Sequence, residues 1–243
     1  MSLRYPTDQI YGGSGKLERV ILLHPGYNKA MCTRYCLEKG STLLAPIIDK
    51  ALSSKLAKKF QLEMSKPMIT EGEVRPTDVA PVIAPGKDGK RAVFPMKWGF
   101  SVQIDGKTKP VVNARIETAS SKALFKEAWA RHRCVIPASW YIEWEHHKDS
   151  NGRITTGDRY VIQPNGDVIT WLCGLYRIEN GFPVFVILTR EPTPELARIH
   201  DRMPVILPED KIDGWIDPAS DPTDYIPFAI TDMYDMYAEI SED

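Results

Sequence analysis

The spacing of apolar residues divides the chain into short elements. Over residues 46–63 (PIIDKALSSKLAKKFQLE), Ile48, Leu52, Leu56 and Phe60 recur every four residues while Lys55, Lys58 and Lys59 lie away from that stripe. This is the period of an amphipathic helix. A second helix is predicted after Thr118 or Ser120, either of which can cap it. Leu124, Phe125, Ala128 and Trp129 form its apolar side, and Lys122, Lys126, Arg131 and Arg133 flank them. Residues 79–84 and 91–94 read as a hairpin across Gly86-Lys87-Asp88-Gly89. Further strand-like runs fall at 20–23, 134–136, 160–163, 168–176, 183–188, 203–207 and 227–230. Many short strands with two or three helices predict an α+β fold. The expected form is a single domain with a curved, partly closed, mainly antiparallel β-sheet or barrel flanked by a few helices.

Composition narrows the class. The chain has 243 residues, 43% hydrophobic and 26% charged, enough for a sizeable core and too apolar for disorder. No apolar run approaches the ~20 residues of a membrane span, so no membrane partner is expected. Val20-Ile21-Leu22-Leu23, ending in His24-Pro25, is too short for a signal-peptide core. Cys32, Cys36, Cys134 and Cys173 form no CxxC pair, which argues against a zinc ribbon or a disulfide scaffold and for a reducing cytoplasm. The net charge of −1 hides an asymmetry. Residues 209–243 hold 11 acidic residues and one lysine, which leaves residues 1–208 with 30 Lys and Arg against 21 Asp and Glu, a net of +9. Such a body can hold a polyanion. An acidic solubilising tail on an ordinary domain is the plainer account of the same numbers.

Candidate chemistry is scattered. His146 and His147 are adjacent, His132 and His200 stand alone, and no phosphate-cradling glycine motif occurs, so neither a metal nor a nucleotide cofactor is expected. Cys32 has Arg34 two residues on, a cation that favours thiolate; a buried, incidental cysteine is the alternative. In Asn113-Ala114-Arg115, the amide both donates and accepts and the guanidinium can fork onto a phosphate, or the loop simply caps a helix. Glu143 lies between Ile142 and Trp144, where burial would raise its pKa towards that of a general acid; an edge-strand glutamate facing water reads equally well. Trp144 can stack on an unpaired base or belong to the core. His200, followed by Asp201 and Arg202, reads as a proton carrier or a structural histidine.

Taken in order, seven stretches resemble the SOS-response-associated peptidase (SRAP) family of abasic-site processing proteins. They are Met31-Cys32-x-Arg34-Tyr35, Pro76-Thr77-Asp78-x-x-Pro81-Val82, Met96-Lys97-Trp98-Gly99, Asn113-Ala114-Arg115-x-Glu117-Thr118, Cys134-x-x-Pro137 with Glu143-Trp144, Cys173-Gly174-Leu175-Tyr176 and His200-Asp201-Arg202-Met203-Pro204-Val205. The resemblance implies a sensor of abasic sites in single-stranded DNA, acting in the SOS response through hydrolase- and lyase-type chemistry. It further implies an amino-terminal Cys32 that crosslinks to the abasic sugar, Asn113 holding amine and sugar in register, Glu143 as acid and base, and His200 assisting proton transfer. Arg34, Arg115 and Arg202 would take phosphates, Trp98 and Trp144 would border the DNA channel, and Thr189 occupies a further motif position. A monomer without metal or cofactor, cytoplasmic and nucleoid-associated on DNA, is the expected state.

Two features depart from that pattern. Ser139-Trp140 stands where the family commonly has Asp-Gly, and Thr33 stands where Gly is common, so a changed backbone path and DNA footprint are expected. Residues 1–30 also precede the family-like domain, expected over 31–243 with its acidic segment from about 209. With them attached the Cys32 nitrogen is an amide and cannot condense with an aldehyde. A start at Met31, self-cleavage before Cys32 as a cysteine-type autopeptidase, and loss of crosslinking in favour of plain single-strand binding are the three accounts.

Overall fold

The structure is a computed structural model that describes residues 33–148, 153–166, 168–229 and 236–240. Residues 1–30 with their run at 20–23, Cys32, and Ile230 lie outside the described residues. The strands are β1 (Arg34–Leu37), β2 (Gly72–Val74), β3 (Val79–Pro85), β4 (Arg91–Trp98), β5 (Phe100–Ile104), β6 (Lys107–Val111), β7 (Asn113–Arg115), β8 (Arg133–Ala138), β9 (Trp140–Lys148), β10 (Ile154–Pro164), β11 (Thr170–Glu179), β12 (Phe182–Arg190), β13 (Met203–Pro204) and β14 (Met236–Ile240). The helices are α1 (Ala45–Leu52), α2 (Lys55–Met64), α3 (Ile116–Ala119), α4 (Lys126–Arg131) and α5 (Ile212–Ile216).

Barrel closure comes from β12, which pairs with β4 on one side and β11 on the other, so that β11-β8-β3-β4-β12 returns on itself. The expected curved and partly closed sheet is therefore present, and the class is α+β. Only the pairings of β12 with β4 and β7 are parallel among the described strand pairs. At the seam Gly174 faces Cys134 on β8 and Ile187 on β12. A Cβ there would meet Ile136 Cδ1 at 2.6 Å and the Val186 carbonyl at 2.7 Å, so only glycine lets three strands approach so closely. Both faces of this sheet are buried. Cys134, Ile136, Phe185 and Ile187 point into one core cluster, while Val135, Val186 and Leu188 join Trp129, Ile212 and Trp215 beneath α4 and α5.

A second sheet runs β14-β10-β9-β1-β2 and is antiparallel throughout. Alternation divides its faces. Tyr35, Tyr141, Tyr160 and Ile162 enter the core, whereas Arg34, Trp144 and Arg159 lie on the other side.

Several expected elements differ. The helix over 46–63 breaks in two because Ser54 takes an extended backbone and caps α2, its side chain accepting from the Ala57 N–H at 3.1 Å. Leu52, placed on the buried stripe, is consequently 47% exposed at the end of α1. The second helix is only α4, with Phe125 at its N-cap position and no side-chain cap, so neither Thr118 nor Ser120 plays that part. Residues 222–228 form a 3₁₀ turn instead of leading into a strand, with Asp221 accepting from the Thr223 N–H. Arg133, expected on the polar flank of a helix, is fully buried. It donates to the carbonyls of Trp129, Ala130, Trp215, Asp217 and Ser220, tying the ends of α4 and α5 to β8.

Candidate functional site

Two groups of candidate side chains form around β12 and β9. On the first, β7 lies parallel to β12, so Asn113 comes level with Ile187 and Arg115 with Thr189. Asn113 is half-buried, with its Oδ1 shielded from solvent. Arg115 is exposed, and its guanidinium is available to solvent anions. Across the other edge of β12, Thr189 pairs with Pro204 of β13, which brings the stretch 200–204 alongside. His200 is 3% exposed, and its Nδ1 accepts the Arg202 backbone N–H at 3.1 Å. The Asp201 carboxylate also lies 3.2 Å from Nδ1. A backbone N–H can only donate, so in the neutral ring the proton belongs on Nε2.

The second group is on the other sheet. Glu143 sits mid-strand on β9, opposite Tyr160, and is 5% exposed. The reading of an edge glutamate facing water is thus excluded. Trp144, its neighbour, is half-exposed on the opposite face, where the Arg34 guanidinium lies 5.0 Å above its ring. Arg34 also donates to Glu73 at 2.7 Å, and Arg75 and Arg159 share the same carboxylate at 2.9 and 2.8 Å. Three guanidiniums on one carboxylate leave this cluster net positive.

The two groups are joined. The His146 N–H donates to the Ile199 carbonyl at 3.1 Å, and the His146 and His200 rings lie 4.6 Å apart between centroids. In sequence His146 is half of an adjacent pair with no metal-ligand spacing. Strand alternation separates it from His147, and only the fold brings it against His200. Among the described residues no group of His, Cys, Asp and Glu is arranged to hold a metal ion, and no helix is long and apolar enough to cross a membrane.

Three expected DNA contacts are placed otherwise. Trp98 is fully buried, stacked on Phe185 at 6.0 Å, and its indole N–H donates to the Val112 carbonyl at 2.9 Å. It therefore anchors the residue before Asn113 and does not line a channel. Gly99 beside it has φ +117°, and a Cβ would lie 2.9 Å from Pro110 Cβ, which is why glycine follows the tryptophan. Arg202 forks onto both oxygens of Glu117 at 2.8 and 2.7 Å and onto the Thr189 carbonyl at 2.8 Å, so its terminal nitrogens are engaged within the protein. Thr189 is itself fully buried. Trp140 takes ordinary strand backbone opposite Cys36, so no left-handed turn is needed there. The sequence reading missed Glu73, Glu117 and Arg159. The one signal was Glu117 within Asn113-Ala114-Arg115-x-Glu117-Thr118.

Burial alone would raise the Glu73 carboxyl, but hydrogen bonds from Arg34, Arg75 and Arg159 outweigh it and hold it below the usual glutamate range. Glu117 is held low in the same way, burial being outweighed by Arg202. A carboxylate held lower in the folded chain adds stability above its unfolded pKa of about 4.3 and loses it as pH falls through the folded value. Wild type is therefore expected to lose thermal stability below about pH 4. Glu73→Gln, already less stable at pH 7, should lose less over that interval, and parallel melting-temperature curves would contradict the pairing.

Comparison with known proteins bears on the family and the fold. The sequence model of the family described as SOS response associated peptidase (SRAP) matches residues 31–239. The abasic site processing protein YoaM of Bacillus subtilis (strain 168) is 31% identical over 169 residues, covering 64% of this chain and 72% of YoaM. YoqW of the same strain, likewise named an abasic site processing protein, is 30% identical over 173 residues, covering 65% and 74%. A crystal structure of a Bacteroides thetaiotaomicron protein superposes with a TM-score of 0.64 at 19% identity, covering 87% of this chain and 93% of that one, and so shares the fold. With a family match that runs from Met31 into the last described strand, the chain belongs to the SOS response associated peptidase (SRAP) family.

Proposed function

We propose that this protein recognises abasic sites in single-stranded DNA and captures them covalently through Cys32, once that residue carries a free α-amine, as part of the response to DNA damage. The observation that supports the reading is that the elements holding the candidate residues are tied together. Asn113, the turn holding His200, and β9 with its buried Glu143 are linked by strand pairing with β12 and by the His146 N–H on the Ile199 carbonyl. Exposed Arg115 and the Arg34–Trp144 pair supply the cation and the aromatic face that an unpaired strand needs. YoaM and YoqW, named as abasic site processing proteins, support the same substrate.

Cys32 is two residues upstream of Arg34, which lies opposite Ile142, the neighbour of Glu143. Two residues of chain reach about 7 Å. The other three cysteines are poor candidates. Cys36, Cys134 and Cys173 are all buried, and burial pushes the thiols of Cys134 and Cys173 well up, away from thiolate. In the ring-opened abasic sugar the α-amine adds to the aldehyde and water leaves, giving a Schiff base. The Cys32 thiol then adds across the C=N bond, its proton passing to nitrogen, and a thiazolidine closes. Glu143 delivers and removes the protons, His200 Nε2–H assists, and Asn113 orients amine and sugar oxygen. A peptide bond at the Cys32 nitrogen forbids the first step, so residues 1–31 must be absent from the reacting species.

A chain that begins at Cys32 is expected to form a heat-stable adduct with an abasic single-stranded oligonucleotide. The same chain carrying Cys32→Ala should form none. Equal adduct from both, read on a denaturing gel, would sink the reading.

A further inference from the structure

Trp140 begins β9 on the face that carries Ile142 and Trp144, with Arg34 opposite Ile142 on that face. Beside Trp140 is a cavity of about 330 Å³, lined by Leu43, Leu44 and Ile169 and by the polar residues Glu38 and Gln163. Gln163 lies one residue beyond the Ile162–Tyr141 pair and so comes abreast of Trp140. The backbone leading into Trp140 is held by Ser139, whose hydroxyl accepts the Glu38 N–H at 2.9 Å and whose carbonyl accepts from Thr170 Oγ1–H at 2.8 Å. Neither the Glu38 carboxylate nor the Gln163 carboxamide makes a side-chain hydrogen bond or ion pair among the described residues, although both line the cavity. A flat aromatic wall, an acceptor-only carboxylate and an amide that both donates and accepts match a planar ring with amino and ring-nitrogen edges.

We propose that this cavity is a nucleobase subsite, which stacks on Trp140 an unpaired base bearing an exocyclic amino group. Its occupant comes from the strand whose abasic sugar reacts at Glu143 and His200, so the inference rests on the function proposed above. Trp140 and Trp144 are four residue steps apart on β9, about 13 Å along one sheet face, so a single strand crossing the Arg34–Trp144 pair reaches the cavity within a few nucleotides. Stacking there adds affinity for the flanking strand without requiring any base at the lesion.

Binding of the full 243-residue chain, whose Cys32 nitrogen is an amide, reports equilibrium affinity with no covalent step. Two single-stranded oligonucleotides serve as probes, each with one tetrahydrofuran abasic analogue, flanked either by adenines or by further tetrahydrofuran residues. Trp140→Ala is expected to weaken binding of the adenine-flanked strand about tenfold and to leave the base-free strand unchanged, while Trp140→Phe retains most of the affinity. Unchanged binding of the base-free strand also reports that the variant is folded. An unaltered Kd for the adenine-flanked strand in Trp140→Ala, or an equal loss on both strands, would overturn the subsite. If wild type bound adenine strands alike with and without the abasic analogue and Trp140→Ala still weakened both, the subsite would stand and the abasic-site reading would fall.

Discussion

Glu143→Gln is expected to slow covalent capture of an abasic strand by about 10²–10⁴-fold, the usual worth of a positioned acid and base. Glutamine keeps the shape of the side chain and its place opposite Tyr160 on β9 but cannot exchange a proton. Both the addition of an amine to an aldehyde and the loss of water from the resulting carbinolamine require proton transfer, so both steps slow. The buried position isolates the effect. Glu143 is 5% exposed, and glutamine is nearly isosteric with glutamate, so the packing of the side chain on β9 is kept. The melting temperature and the Kd for a non-reactive abasic analogue should therefore stay near those of wild type while the rate of adduct formation falls. Wild-type rates in Glu143→Gln would take the residue out of the chemistry.

The second large effect concerns stability. Arg133→Leu removes the guanidinium that serves the carbonyls of Trp129, Ala130, Trp215, Asp217 and Ser220. Arg133 is wholly enclosed, and its aliphatic replacement leaves those acceptors without a donor where water does not easily reach. Each buried unsatisfied group costs about 1–3 kcal/mol, so a total of at least about 3 kcal/mol is expected. For a chain of this size that lowers the melting temperature by roughly 6–12 °C. The site lies on other elements, so the folded fraction should still form adduct at the wild-type rate. A shift under about 2 °C would mean that solvent takes over the bonding of α4 and α5.

The strand content of this fold was legible because its apolar runs are dense. The 79–84 and 91–94 hairpin, for example, is β3 and β4, whereas the close approach of β8 and β12 at Gly174 appears only in the fold. The short first strand escaped notice: Arg34-Tyr35-Cys36-Leu37 has one core face and one polar face, too few residues to show a period. The break at Ser53-Ser54 was hidden because Leu52 and Leu56 keep helical spacing across it. Among the candidate residues, Asn113, Glu143 and His200 were singled out by residue type and by resemblance, and their burial is a property of the fold that sequence left open. Trp98, Thr189 and Arg202 lie at positions singled out by resemblance, and sequence does not tell a side chain that touches a ligand from one that holds the strand beneath it. The partners that decided their placement, Val112 and Glu117, act through a carbonyl and through an ion pair spanning 85 positions, which no local pattern reveals.

The central claim is that sulfur and a free nitrogen on one residue close a ring on the abasic sugar. Its most direct test is the mass and attachment point of the adduct formed by a chain beginning at Cys32. The account predicts a product equal to protein plus oligonucleotide less one water, with the sugar on the amino-terminal peptide and no free thiol at Cys32. An adduct mapped to a lysine, or one that leaves the Cys32 thiol open to alkylation, would contradict it.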